Sequence, residues 1–304
     1  MKYLLGEING KATELLEKSH VSFLDSSAFN LQNEEGLCLV RHIIAIRSIS
    51  QLDTEWVKRE ISFLKSLENI VMQDEEVKLR VVPKVVEEFE ERCKLLDERL
   101  KLLSTKGVEG RKWSKYSEEK IQDNDDNIEA LKDFVEEHKN FYSNFIAKNI
   151  YHSQNKNLTD TLFSFITYLD DNLKFRKEKF KEHHGRKDKS VRAKSRADEE
   201  TVAAAFTSLI SGLTPVSIFS QDSDHFFLSL GLYSFLLSET FYVPENIKEN
   251  LRRTNLNFYN NIHDKTIAFD TKTIMAPYNI KKAANREELI KNSSHFAHKM
   301  AIYV

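Results

Sequence analysis

Residues that bend or staple a chain are scarce here: eight glycines, four prolines and two cysteines in 304 residues. So few turn-formers exclude a turn-rich β protein and favour long helices. Cys38 and Cys93 stand far apart, without CxxC spacing. This excludes a disulfide framework and a cysteine zinc site, and each reads as a small buried side chain in a reducing compartment. Charge of one sign is missing too. Forty-five Lys and Arg against 47 Asp and Glu leave a net charge of −2, so any binding of nucleic acid must come from local clustering. The most apolar run, Phe226 to Val243, is interrupted at Glu239. It falls short of the roughly 20 apolar residues a bilayer span needs and reads as a buried helix. The opening MKYLLGEING is broken by Glu7 too early for a signal peptide. A soluble, cytoplasmic protein with no membrane partner is expected. The G-x-x-x-x-G-K-S/T, G-x-G-x-x-G and G-x-S-x-G patterns are also absent, which removes the usual nucleotide-binding and serine-hydrolase readings.

What is present supports a large core, since 40% of residues are hydrophobic and 11% aromatic. Strands are expected at Val21–Leu24, Val77–Val82 and Val216–Ser220, with a late one at Lys265–Thr271. Helical patterns cover Leu37–Ser48, Thr54–Leu67 and a stretch after Pro83 that runs to Leu103, where Gly107 and Gly110 break it. Further helices are expected at Asn127–Ile150, Leu158–Lys181, Ala197–Ile210 and Arg286–Tyr303. The order of these elements predicts an α/β three-layer sandwich with a central, mostly parallel sheet. The divisions expected are 1–103 for the first part of the core, 104–196 for a helical insertion carrying a basic segment, 197–245 for the second part of the core, and 246–304 for a C-terminal extension.

Acids recur at matching places. Asp25 ends the first strand, and Asp222 and Asp224 follow the strand VSIFS. Asp198 opens the helix leading to that strand, and Glu88 lies inside the helix after Pro83. Strand ends and helix starts share one edge of a parallel sheet, where such folds bind ligands. Carboxylates gathered there repel one another unless cations lie between them, and hard oxygen ligands suit Mg²⁺ or Mn²⁺. Each acid also has a plainer reading. Asp25, Asp222 and Asp224 suit turns or helix caps, and Asp198 suits a helix dipole. Glu88 sits in the acidic run EEFEE, so Glu87 or Glu91 competes with it.

VSFLDSSAF, VVPKVVEEFEE, RADEETVAAAF and SIFSQDSDHFF, in this order, resemble the four acidic motifs of PIN-domain nucleases. The resemblance implies a PIN-like fold and a metal-dependent endoribonuclease, with Asp25, Glu88, Asp198 and Asp222 as the catalytic, metal-binding acids. Asp224 would be an extra ligand, and Ser220 would orient a carboxylate or a water. One or two Mg²⁺ or Mn²⁺ ions would then activate a water for in-line attack on phosphorus, leaving a 5′-phosphate. Two departures stand out: Val82 where the second motif commonly has Thr, and His225 between the last acid and Phe226.

Lys174–Arg196 carries eleven basic residues against three acidic ones, an excess of eight, and leads straight into Asp198. Arg186, Lys187, Lys189, Arg192, Lys194 and Arg196 are the candidates for phosphate contact, with a solvated loop as the plainer reading. His183 and His184 read as solvated residues of that loop, and Asp123, Asp125 and Asp126 as a helix-entry loop. RNA is the favoured partner. A DNA-directed nuclease, a catalytically silent PIN-like scaffold, a protein partner or inhibitor, and a homo-oligomer remain open on the sequence.

Overall fold

A computed structural model describes residues 18–31, 37–73, 78–113, 118–173, 196–221, 224–237, 243–253, 255–260, 265–269 and 286–303. The strands are β1 (Val21–Leu24), β2 (Leu79–Arg80), β3 (Val216–Phe219), β4 (Leu256–Asn260) and β5 (Lys265–Phe269). The helices are α1 (Leu39–Ala45), α2 (Thr54–Gln73), α3 (Pro83–Trp113), α4 (Glu118–Phe141), α5 (Lys156–Leu173), α6 (Ala197–Ile210), α7 (Asp224–Leu236), α8 (Glu245–Arg253) and α9 (Arg286–Tyr303). The protein is therefore an α/β protein, mostly helical, with one small sheet among the described residues. Two compact units divide the chain, one taking in Phe29–Glu75 and Val86–Asn149, the other Gly10–Ala28, Glu76–Val85 and Ile150–Val304.

The second unit holds the sheet, in the order β2-β1-β3-β4-β5. The first four strands pair in parallel, and β5 runs antiparallel to β4. All four residues of β1 and of β3 are buried, as expected of parallel strands covered on both faces. Helix α6 explains how. Its ADEETVAAAFTSLI sequence buries Val202 through Ile210 without interruption, and Ala203, Ala204 and Ala205 add no bulk beyond a methyl group. It packs along α5 and also touches α7, α8, β1 and β3. Buried Thr159 and Thr207 meet across α5 and α6 at 2.9 Å, so neither hydroxyl is left unsatisfied. Helix α7 is apolar almost all round and buries Leu228, Leu232, Tyr233, Phe235 and Leu236. Each such side chain contributes about 1.5–3 kcal/mol of burial, and that places Asp224 and His225 at the head of a fixed helix. No helix among the described residues is long and apolar enough to cross a membrane.

The first unit is helical. Leu39, Ile43, Trp56 and Val57 pack with Leu96, Leu103, Leu131, Phe134 and Val135 in its core. Two titratable groups are fully enclosed there, Glu60 on α2 and His138 on α4. Glu60 Oε2 accepts from the Leu31 amide at 2.9 Å, and burial pushes the carboxyl up to about 8 against that bond and the charge of Arg92. The His138 ring stacks on Phe89 at 5.1 Å, and burial, helped by Arg92, drives its pKa down to about 3. Cys93 is half-buried and free, its thiol pushed up to about 11 by burial.

Several sequence boundaries shift. Helix α3 does not stop at Leu103 but passes through Gly107 and Gly110 to Trp113. Two interior glycines cost roughly 1 kcal/mol each, and the Lys-, Arg-, Leu- and Glu-rich sequence around them carries the helix through. Asp123, Asp125 and Asp126 lie within helix α4 rather than in an entry loop. After Phe141 the backbone widens into a π-helical turn, Tyr142–Ile146, so the expected helix to Ile150 ends early. The stretch read as one helix to Ser48 closes at Ala45, and Ser48 instead caps a 3-10 turn at Ile49–Gln51. Strand β4 lies in the region taken as an extension. The expected helix end beyond Leu173 and the basic residues Lys174 to Lys194 lie outside the described residues, as does Asp222.

Candidate metal centre at the strand ends

The parallel register of β1 and β3 sets Leu24 beside Phe219. The residues that follow, Asp25 and Ser220, therefore leave the sheet side by side. The Asp25 amide continues the ladder by donating to the Phe219 carbonyl at 3.0 Å, and the Ser220 amide donates to Tyr259 of β4 at 3.1 Å. From Ser26 the chain enters a 3-10 turn, Ser26–Phe29, which folds Ser27 back over the aspartate.

One oxygen of Asp25 is heavily engaged. Oδ2 accepts from Ser27 Oγ at 2.5 Å, from the Ser27 amide at 3.1 Å and from Ser220 Oγ at 3.1 Å. Ser27 Oγ in turn accepts from the Gln221 amide at 2.9 Å, tying the end of β3 to the turn after β1. Oδ1 faces a different neighbour: His225 Nε2 stands 3.8 Å away, and the same nitrogen is 3.4 Å from Asp198 Oδ1. One ligand atom from each of Asp25, Asp198 and His225 falls within 4.8 Å of the others.

Helix geometry explains the meeting. Asp198 is the second residue of α6 and His225 the second of α7, so both come from first turns, whose amides give a positive end to the helix. Asp25 comes from the carboxyl end of a strand, where the sheet opens. Burial is uneven: the side chain of Asp198 is 23% exposed, while those of Asp25 and His225 are 5% and 0% exposed. The centre thus has one wetter side, at Asp198.

Two ionised carboxylates with oxygens within 4.8 Å repel by roughly 3 kcal/mol at an effective dielectric of about 20. Burial alone would raise the Asp25 pKa. The positive charge of a protonated His225 and the hydrogen bonds from Ser27 and the Ser26 amide outweigh it and hold the carboxyl below its ordinary 3.8. The donors of Ser26 and Ser27 favour the ionised form of the aspartate, the form that a metal ligand takes. Two carboxylates and an imidazole are donors that divalent ions accept. The 3.4 and 3.8 Å separations are both shorter than twice a metal–ligand bond of about 2.1 Å.

Among the acids singled out in the sequence, the structure brings Asp25 and Asp198 together, with Ser220 bonded to Asp25. Asp224, buried, is the first residue of α7, one position before His225. Glu88 is half-buried on α3, in the first unit. Arg196 is committed internally. It is the left-handed residue before α6, and its guanidinium lies 3.1 Å from Asp171 and 3.7 Å from Glu199. Sequence reasoning missed His225 and Ser27. His225 occupies the same second position of its helix as Asp198, a parallel visible once both helix starts are fixed. Ser27 stands two residues after Asp25, the spacing of an Asx turn.

No protein-family model, no curated protein and no solved structure matches the chain.

Proposed function

We propose that this chain is a PIN-like, Mg²⁺- or Mn²⁺-dependent phosphodiesterase that hydrolyses RNA in the cytoplasm. The observation that carries the reading is the convergence of Asp25, Asp198 and His225 within 4.8 Å at the carboxyl edge of a parallel sheet. A divalent ion there would lower the pKa of a water and stabilise the departing oxygen of a phosphodiester. Asp25 supplies a fixed anionic oxygen, because Ser27 and Ser220 pin its other oxygen. Asp198, the more exposed acid, borders the side from which a substrate enters. The first-turn amides of α6 and α7 favour negative charge at the same edge. By the resemblance, Asp222 is a further candidate ligand, and the basic stretch ahead of Asp198 would draw in the phosphate backbone.

The test is cleavage of end-labelled single-stranded RNA with Mn²⁺ by wild type, Asp25→Asn and Asp198→Asn, with single-stranded DNA alongside. Wild type should cut RNA, and each variant should lose about a hundredfold or more. Equal cleavage by all three would end the nuclease reading, and preferential DNA cleavage would reassign the substrate.

A second reading has its own support. His225 as an imidazolium between Asp25 and Asp198 would bridge the pair and offset one of its two charges without a metal, leaving a catalytically silent scaffold for a partner. That chain would cut neither nucleic acid.

A further inference from the structure

We propose that His225 is itself a metal ligand, and that its ring nitrogen makes this centre select Mn²⁺ over Mg²⁺. The inference rests on the reading of the centre as a divalent-cation site and adds which ion it takes. His225 Nε2 faces both acids, 3.4 Å from Asp198 Oδ1 and 3.8 Å from Asp25 Oδ1. The ring is fully buried. Helix α7 is buried on nearly every side and carries the ring in its first turn, so it cannot swing to solvent without moving the helix. Asp25 cannot bind through both oxygens while Oδ2 holds three donors, so it offers Oδ1 alone. The described ligand set is two single carboxylate oxygens and one nitrogen.

That set differs in kind from one built of acids only. Mg²⁺ demands near-octahedral oxygen coordination and gives up water reluctantly. An imidazole suits first-row transition ions, and carboxylates suit Mn²⁺ as well as Mg²⁺, so the mixed set meets its common ground at Mn²⁺.

The experiment uses the full chain, stripped of metal by chelation, with Mn²⁺ as the probe and no RNA present. Free Mn²⁺ is read by electron paramagnetic resonance during a Mg²⁺ titration. Wild type should bind one tightly held Mn²⁺ and keep it against a large excess of Mg²⁺. His225→Asp, which keeps a ligand but makes it an oxygen, should let Mg²⁺ displace Mn²⁺ at a concentration about tenfold lower or less. Asp25→Asn should abolish the tight site. Pulsed electron paramagnetic resonance of Mn²⁺-loaded wild type needs no variant and should show modulation from a directly bound ¹⁴N. Absence of that modulation, or identical Mg²⁺ competition in wild type and a folded His225→Asp chain, overturns the proposal. A chain that binds Mn²⁺ through nitrogen yet leaves RNA uncut would retain this inference and refute the nuclease reading.

Discussion

Ser27 holds Asp25 twice, through its hydroxyl at 2.5 Å and its amide at 3.1 Å, both on Oδ2. The same hydroxyl accepts from the Gln221 amide, so one small side chain links the ends of β1 and β3. Ser27→Ala removes a donor from a buried carboxylate and an acceptor from the Gln221 amide. The expected cost is about 1–3 kcal/mol of stability, read by urea denaturation. Mn²⁺ affinity should fall about tenfold to a hundredfold, read by calorimetry. Ser27→Thr keeps the hydroxyl and should restore most of both. Unchanged metal affinity in Ser27→Ala would show that Asp25 needs no such clamp.

The helical unit should give the protein an unusual pH profile. Glu60 has a folded pKa of about 8 against an ordinary 4.5, so stability is full below 4.5 and is lost as pH rises towards 8. His138 is the mirror case, about 3 in the fold against 6.5, so stability is lost as pH falls from 6.5 towards 3. Between 4.5 and 6.5 the two slopes cancel and a plateau is expected. From pH 6.5 to 8 the Glu60 slope alone should remove about 2 kcal/mol. Glu60→Gln should flatten that limb, while His138→Gln should flatten the acid limb. Denaturant titrations at half-unit pH steps measure both, and a wild-type curve that rises from 6.5 to 8 would contradict the assignment.

Asp25 adds a second acid-side effect. Its folded pKa lies below 3.8, so its contribution is present above that value and disappears as pH falls through the folded pKa. Asp25→Asn should thus narrow the stability gap to wild type only below about pH 4. A gap that instead closes near neutrality would point to a different titrating group.

Glu200 caps a helix from another element: its Oε2 accepts from the Lys84 amide, in the first turn of α3, at 2.7 Å. Glu200→Ala should cost about 0.5–2 kcal/mol, and Glu200→Gln less, since an acceptor remains. Equal stability in all three chains would show that the α3 terminus is satisfied by water.

Strands β4 and β5 add to the sheet beyond β3. Tyr259 of β4 accepts the Ser220 amide beside the Asp25–Asp198–His225 cluster. A chain ending at Arg253 loses two strands and the helix whose Ala297 and Met300 are buried. It should fail to unfold cooperatively. A cooperative transition with intact Mn²⁺ binding would show that the sheet closes at β3.

Much of the sheet unit could be read from the chain, because its signals are local. VSFL and VSIF are short apolar runs bounded by turn residues, and ADEETVAAAFTSLI carries acids at one end and small residues along its body. Strand β4 was hidden because LNFYN is short and half polar, and only pairing with β3 and β5 identifies it. Helix α3 outran its expected end because glycine is a weak breaker inside a strongly helical sequence. At the site, Asp25, Asp198 and Ser220 were legible from their places at strand ends and helix starts. His225 was not, because a histidine next to Asp224 reads as an interruption until the register of α7 turns it towards the two aspartates. Glu60 and His138 were invisible for the same reason, since burial is a property of packing and not of composition.

The most direct measurement is anomalous diffraction from crystals of the full chain soaked in Mn²⁺. A single peak about 2.2 Å from Asp25 Oδ1, Asp198 Oδ1 and His225 Nε2 is the predicted result. The same electron density with no peak, and His225 bridging the two aspartates by itself, would contradict the metal centre on which the proposed chemistry depends.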